Sequence, residues 1–329
     1  MTIQNSKGRL CRILMKNPSK VVPGKETKTR TVFQEPSRRT FLAATSALAA
    51  VAVFRPWKKA VADNKNVIED DFISPYGVAI TKQGDLVVTD AGSYSVRIYH
   101  PDGSPKAKFG SPGIGPGKLN FPTGVAVLNE EIFVVDSNNG RIVVFDSEGN
   151  FHRSFGGLGI NTASLASPKG ICVGPSGKLV VANTRGHNIQ VYDPVSGLME
   201  SAFGLMGDNS PTLKTGETDI RFRLPSSVNW DGEKLAIVDG KHGRLVFLDA
   251  EGRFISQSNG FNKPECCIAA RDGYYLTAAK GLARLDKNGK PVVWHPIKFE
   301  SAAGLAILPS GQLAVADFSG RKINIIEAF

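Results

Sequence analysis

After residue 62 one block recurs six times, and a chain of this kind must bury each copy against its neighbours. The clearest copy reads Phe121-Pro122-Thr123-Gly124-Val125-Ala126-Val127, then Ile132 to Asp136, then Arg141 to Asp146. Gly149 and a fourth run, Phe151 to Phe155, close it. The frame restarts at Pro75, Pro122, Pro168, Pro225 and Pro264 and, weakened, near Ala302, at spacings of 47, 46, 57, 39 and 38 residues. Copies of about 44 residues with four short apolar runs, separated by Gly, Asn, Asp and Ser, fit a four-stranded propeller blade. The 35 Gly and 19 Pro of the chain suit many turns and short strands. Residues 63–329 therefore predict an all-β, six-bladed β-propeller. The last copy stops at its third strand, Lys322 to Ile326, so its fourth strand is expected from residues 66–70, which closes the ring and removes an exposed sheet edge.

Specific residues add a family resemblance. Phe109-Gly110, Gly113, Gly115, Gly117 and Phe121-Pro122-x-Gly124, with the Asp-to-Arg strand turns, resemble the NHL-repeat family of six-bladed propellers. Asn183-Thr184-Arg185-Gly186-His187-Asn188-Ile189-Gln190-Val191 is similar to that family's D-x-x-N-H-R-I-x-V pattern. The resemblance spans about residues 67–329. It implies the fold and leaves function open.

Charge is distributed unevenly. The chain carries 40 Lys+Arg against 30 Asp+Glu, a formal +10. Residues 1–62 hold 13 of the bases and two acids, Glu26 and Glu35, so the rest is nearly neutral, with 27 bases and 28 acids. Ser37-Arg38-Arg39-Thr40-Phe41-Leu42 precedes an apolar run over 41–54, too short to span a bilayer as a helix. Paired arginines before such a run match a bacterial twin-arginine export signal, and Ala60-Val61-Ala62 offers a cleavage site. An uncleaved anchor is the alternative. The expectation is a disordered basic segment with a signal peptide over 1–62, then an exported, periplasmic or extracellular monomeric propeller.

The repeats also place the chemistry-bearing residues. Asp90, Asp136, Asp239 and Asp317 end second strands, and Arg97, Arg141, Arg244 and Arg321 (or Lys322) come after them. Asn183 and Ala279 replace Asp in two copies, and the base is absent there too. Covariation of this kind predicts structural turn pairs. Residues after each repeat Pro are expected around the channel mouth: Tyr76, Thr123, Lys169, Ser226, Glu265 and Ala302 or Ala303. Arg185, His187, Lys241, His242 and Tyr94 join that face from the strand turns, together with the insertion from Leu205 to Arg223. Within it, Phe222 fills the repeat's phenylalanine position, or serves recognition between Arg221 and Arg223.

No catalytic set emerges from these residues. Of five histidines, His187 and His242 share a face, and a metal between them lacks a third ligand; His100, His152 and His295 fall elsewhere. Cys172, Cys266 and Cys267 read as small buried residues, with a vicinal Cys266–Cys267 disulfide as the alternative. The leading expectation is a binding or scaffold propeller recognising a protein, peptide or glycan of the cell envelope through the turn face, with no cofactor identified. The resemblance also implies a metal-dependent enzyme as the alternative. An amidating lyase would need zinc held by several His, and a lactonase would need Glu and Asn or Asp ligands, often for calcium, with only Glu265 available. The nearly neutral propeller argues against nucleic acid.

Overall fold

The computed structural model describes residues 67–159, 164–207, 213–279, 281–295 and 297–329. The expected export signal, 1–62, lies outside these residues. Six four-stranded antiparallel sheets stand around one axis. Blade one comprises Pro75–Ile80, Leu86–Asp90, Ser95–Tyr99 and Pro105–Phe109. Blade two comprises Pro122–Leu128, Glu131–Asp136, Arg141–Phe145 and Phe151–Gly156. Blade three has Ile171–Val173, Leu179–Asn183, Asn188–Tyr192 and Met199–Phe203. Blade four has Pro225–Trp230, Leu235–Asp239, Arg244–Leu248 and Phe254–Asn259. Blade five has Cys266–Ala270, Gly273–Ala278, Gly281–Leu285 and Pro291–Trp294. Blade six uses Ala302–Ile307, Leu313–Asp317 and Lys322–Ile326, and its outermost strand is Val67–Ile68, with Val67 opposite Asn324 and Ile68 opposite Ile323. First strands contact one another in a closed cycle around the axis.

Burial is a consequence of this stacking. A blade is covered on both faces, so its middle strands read as unbroken apolar runs. Leu86–Asp90 and Leu235–Asp239 are buried at every position. Outer strands have one wet face, and Pro105–Phe109 accordingly alternates between exposed and half-buried. Six apolar clusters fill the six interfaces between blades, among them Val180, Ile189, Ile237 and Val246 between blades three and four.

The glycine of Pro-x-Gly has a geometric cause. A Cβ on Gly124 would stand 2.3 Å from the Lys169 carbonyl oxygen, and one on Gly77 would stand 2.3 Å from that of Thr123. On Gly304 it would stand 2.2 Å from that of Tyr76. Each glycine lets the next blade's backbone approach the axis. Blades four and five place Ser227 and Cys266 at this position instead, and the Ser227 hydroxyl lies 3.7 Å from the Cys266 sulfur.

Candidate functional site

The Asp-to-Arg turns differ in detail from their sequence pattern. Arg141 Nε meets Asp136 at 2.8 Å and Arg244 Nε meets Asp239 at 2.9 Å, each base lying directly opposite its acid. In blade one Ser95 holds that opposite position. Arg97 stands two residues further along, where side chains return to the same face. From there its Nη2 reaches back to Asp90 at 2.9 Å. At the fourth acid neither expected base makes an ion pair: Asp317 accepts backbone amides of Glu300 (3.1 Å), Ser301 (2.8 Å) and Gly320 (3.1 Å), while Arg321 is exposed and Lys322 stands opposite Asp317 in the ladder.

What these acids share is a backbone partner. Asp90, Asp136 and Asp239 likewise accept the amides of Ser74, Asn120 and Arg223, which lead into their own blade's first strand. Asn183 does the same for Ala166 at 2.7 Å, so an amide oxygen suffices in blade three. In blade five the second strand ends on Ala278, which brings no side-chain acceptor, and the entry loop keeps only the backbone bond made in the other blades too, here from the Ala279 amide to the Asn262 carbonyl. Tying the entry loop is the common function, and the arginine is an addition to it.

A cavity of about 360 Å³ runs along the axis, lined by the first strands of all six blades. Each of these strands is the inner edge of its sheet, so backbone groups left unpaired by the ladder face the channel. Tyr76, Lys169 and Glu265 meet at its mouth from blades one, three and five. The Tyr76 hydroxyl and the Lys169 ammonium both donate to Glu265 Oε1, the latter at 2.7 Å. Lys169 Nζ also lies 5.6 Å from the centre of the Tyr76 ring. Burial and the adjacent carboxylate push the Tyr76 phenol well above its ordinary value, so it remains a donor. Tyr76 packs edge-on to Phe318, and Phe121 lies beside Phe318, giving the mouth an aromatic flank.

Two expected mouth residues belong to the blade joints. Thr123 is fully buried, and its hydroxyl donates to the Lys169 carbonyl at 3.1 Å. Ser226 lines the cavity but points its hydroxyl at the Glu265 carbonyl, 2.7 Å away. Small hydroxyls here bridge neighbouring backbones. Ala303 lines the cavity as expected.

The turn residues form a second group on the same face. His187 has a left-handed backbone, φ 57°, and its Nδ1 accepts the Leu224 amide at 3.3 Å. It therefore joins blade three to the entry of blade four. His242 Nδ1 bonds Asp239 at 2.7 Å, while its Nε2 is shielded and has no partner among the described residues. Arg185 and Lys241 are exposed. Tyr94 takes the left-handed position of blade one, φ 56°. His100, His152 and His295 lie away from the mouth, beside Asp85, beside Glu131 and against Phe329.

In the insertion, Leu205–Met206 pairs in parallel with Arg221–Phe222. Phe222 is fully buried between blades three and four, which is the repeat's packing role. Residues 208–212 lie outside the described residues. Arg223 and Lys263 also reach this face, and Lys263 is not among the residues expected there from the repeat pattern. Its signal was available: it immediately precedes a repeat Pro, as Phe121 and Leu224 do, and all three have positive φ.

Cys172, Cys266 and Cys267 are free thiols. Burial pushes Cys172 up to about 12 and Cys266 up to about 11, with Cys267 also raised. At about pH 8 on the order of one Cys266 thiol in a thousand is then ionised. In the Cys11→Ser full chain, a disulfide reagent at that pH is expected to label these three only after unfolding. Rapid native labelling, or only one reactive thiol in the unfolded unreduced chain, would contradict free thiols of which Cys172 and Cys267 are buried and Cys266 half-buried. No three His, Cys, Asp or Glu side chains gather into a metal-binding group among the described residues.

Ring closure, axial channel and repeated strand turns together define a six-bladed β-propeller. The NHL repeat model matches residues 119–145 and 165–192, in blades two and three. Protein brain tumor of Drosophila melanogaster is 36% identical over 62 residues, 19% of this chain and 6% of that protein's length. Among solved structures, virginiamycin B lyase from Staphylococcus aureus superposes with a TM-score of 0.55 at 14% identity, over 80% of this chain and 87% of that one. A gluconolactonase from Xanthomonas campestris gives 0.57 at 15% identity, over 78% and 88%. A chain of a nidogen–laminin complex gives 0.54 at 20% identity, over 68% and 81%. Binding and catalytic proteins both occur among these, so the likeness establishes the fold alone.

Proposed function

We propose that this is an exported binding propeller that recognises a protein, peptide or glycan of the cell envelope through the face carrying the repeat turns. The observation that supports it most is the engagement of Glu265 at the mouth. Tyr76 and Lys169 engage Glu265, the one carboxylate among the described channel-lining residues that a lactonase-like metal site would use, and the three side chains meet at the cavity mouth. Exposed side chains such as Arg185 and Lys241 lie on the same face around this occupied carboxylate, an arrangement suited to recognition more than to enclosing a reacting molecule. Export rests on Arg38-Arg39 ahead of the apolar run 41–54 and on the nearly neutral charge of residues 63–329. Among the described residues no helix is long and apolar enough to cross a membrane.

One experiment addresses both halves. The full chain is screened on peptide and glycan arrays and its distribution tracked in a bacterium with twin-arginine export. We expect ligand retention that Arg185→Ala with Lys241→Ala removes and Lys82→Ala with Lys290→Ala, at the opposite end of the blades, leaves intact. Arg38→Lys with Arg39→Lys is expected to hold the chain in the cytoplasm. Zinc- or calcium-dependent turnover of a lactone with no retention on either array would instead favour the metal-dependent enzyme. Export unaffected by the arginine change would remove the envelope setting.

A further inference from the structure

Cations on the turn face lie in one arc over blades three to five. Arg185, Arg223, Lys241 and Lys263 are all exposed. Backbone contacts make the arc continuous. The Arg185 amide bonds Ala166 at the entry of blade three, and His187, in the same turn, accepts the Leu224 amide. The Lys241 amide donates to the Arg223 carbonyl at 3.1 Å. Beside it, a Cβ on Gly240 would lie 3.2 Å from the Leu224 oxygen and 3.4 Å from that of Pro264, next to Lys263.

Three acids among the described residues along this arc are engaged by other groups. Asp239 is fully buried and holds Arg244, His242 and the Arg223 amide. Glu265 is held by Lys169 and Tyr76. Asp219 pairs with Arg221 at 3.3 Å. An arc of positive charge therefore exists on a propeller whose net charge is close to zero.

Aliphatic side chains border it. Leu205 is 55% exposed, Met206 71% and Leu224 36%, all at the crossing into blade four. The preceding crossing exposes Leu158, which lies against the Gly140 turn of blade two. Exposed apolar groups beside the charges of Arg185, Lys241 and Lys263 mark a surface for another protein.

We propose that this arc docks an acidic peptide segment of a partner protein, carboxylates facing Arg185, Lys241 and Lys263 and aliphatic side chains on Leu205, Met206 and Leu224. The inference rests on the turn face being a recognition surface and specifies what it recognises. Charge complementarity selects an acidic segment, and the apolar border selects a peptide over a nucleic acid or a uniformly polar polyanion. Exposed charges act over roughly 10 Å at moderate salt, so attraction weakens as salt rises.

Fluorescence anisotropy on the full chain tests it, the basic N-terminal residues being common to every variant. Probes are a labelled Glu-rich peptide bearing several Leu, its Lys counterpart, the Glu peptide with Ser in place of Leu, a single-stranded RNA and a neutral oligosaccharide. The Glu/Leu peptide is expected to bind best. Arg185→Glu with Lys241→Glu should weaken it about tenfold or more, as should Leu205→Ser with Met206→Ser. Arg185→Gln with Lys241→Gln removes charge without introducing repulsion and should weaken it as well. Two results overturn the inference while leaving the turn face a recognition surface. One is RNA or the Ser-containing peptide binding equally well, indifferent to Leu205 and Met206. The other is the oligosaccharide binding in the peptide's place. Binding by none of the probes overturns the inference and counts against the broader reading too.

Discussion

Gly124→Val is expected to destabilise the propeller by about 3 kcal/mol or more, the upper range for overpacking a tight core. The new Cβ would meet the Lys169 carbonyl oxygen at 2.3 Å, and Ile171 N and Gly170 Cα lie at 3.1 and 3.2 Å. All three atoms are backbone of the neighbouring first strand, so no side chain can rotate away. The same carbonyl accepts the Gly124 amide at 2.8 Å, so moving the strands apart also breaks a bond between blades. Thermal unfolding monitored by circular dichroism checks this, with a fall of roughly 6–12 °C expected for a domain of this size. Gly177→Ala provides the control. That glycine has φ 72° but no heavy atom near its absent Cβ, so only local backbone strain, about 1 kcal/mol, is expected. Equal effects at the two sites would mean that blade approach is not what requires Gly124.

Arg97→Met is expected to cost about 3–5 kcal/mol, the range for stranding a buried charge. Arg97 is fully buried, with Asp90 and Asp70 each at 2.9 Å and Asp71 also in contact. Its guanidinium lies 4.5 Å from the centre of the Phe72 ring, and the Tyr99 hydroxyl donates to Asp70 at 2.6 Å. Asp70, Asp71 and Phe72 come just after Val67–Ile68, the strand that completes blade six. Arg97 therefore fastens the closing segment to blade one. Hydrogen exchange should show Val67–Ile68 and Lys322–Ile326 losing protection first in Arg97→Met, with blade four close to wild type. Adding Asp90→Asn should restore part of the loss, since one stranded carboxylate is then neutral. A uniform loss of protection around the ring would argue against a local latch.

Architecture was legible because every blade states it again: Pro-x-Gly, two apolar runs without polar alternation, then an alternating outer run. Repetition compensates for weak signals, and even the degenerate Ala302 copy aligns. The site was less legible for three physical reasons. Thr123 and Ser226 come after the same proline as Tyr76 and Lys169, yet short side chains at that position reach only the adjacent carbonyl. Arg97 and Arg141 look interchangeable as the base that follows an Asp-ended strand, but a two-residue offset keeps the strand face while changing what the guanidinium spans. Asp317 shows that the acid answers first to backbone amides, a role indifferent to whether a base comes next. The basic arc brings together Arg185, Arg223, Lys241 and Lys263 from four loops, and a count over the whole propeller conceals it because acids elsewhere balance it.

Pairing of Val67–Ile68 with Lys322–Ile326 also bears on the timing of biosynthesis. Val67–Ile68 is made before every other strand of the described residues and has no neighbour until Lys322–Ile326 follows, so blade six is the last blade to be completed. Joining chain ends across such a separation carries a closure entropy that grows only slowly with length, but a fold dominated by distant contacts forms slowly. Until Lys322–Ile326 has been made, the unfinished ring exposes strand edges of the kind that aggregate. A carrier that accepts only finished proteins would suit such a chain better than one that threads it unfolded, since the closing step then takes place where the chain was made.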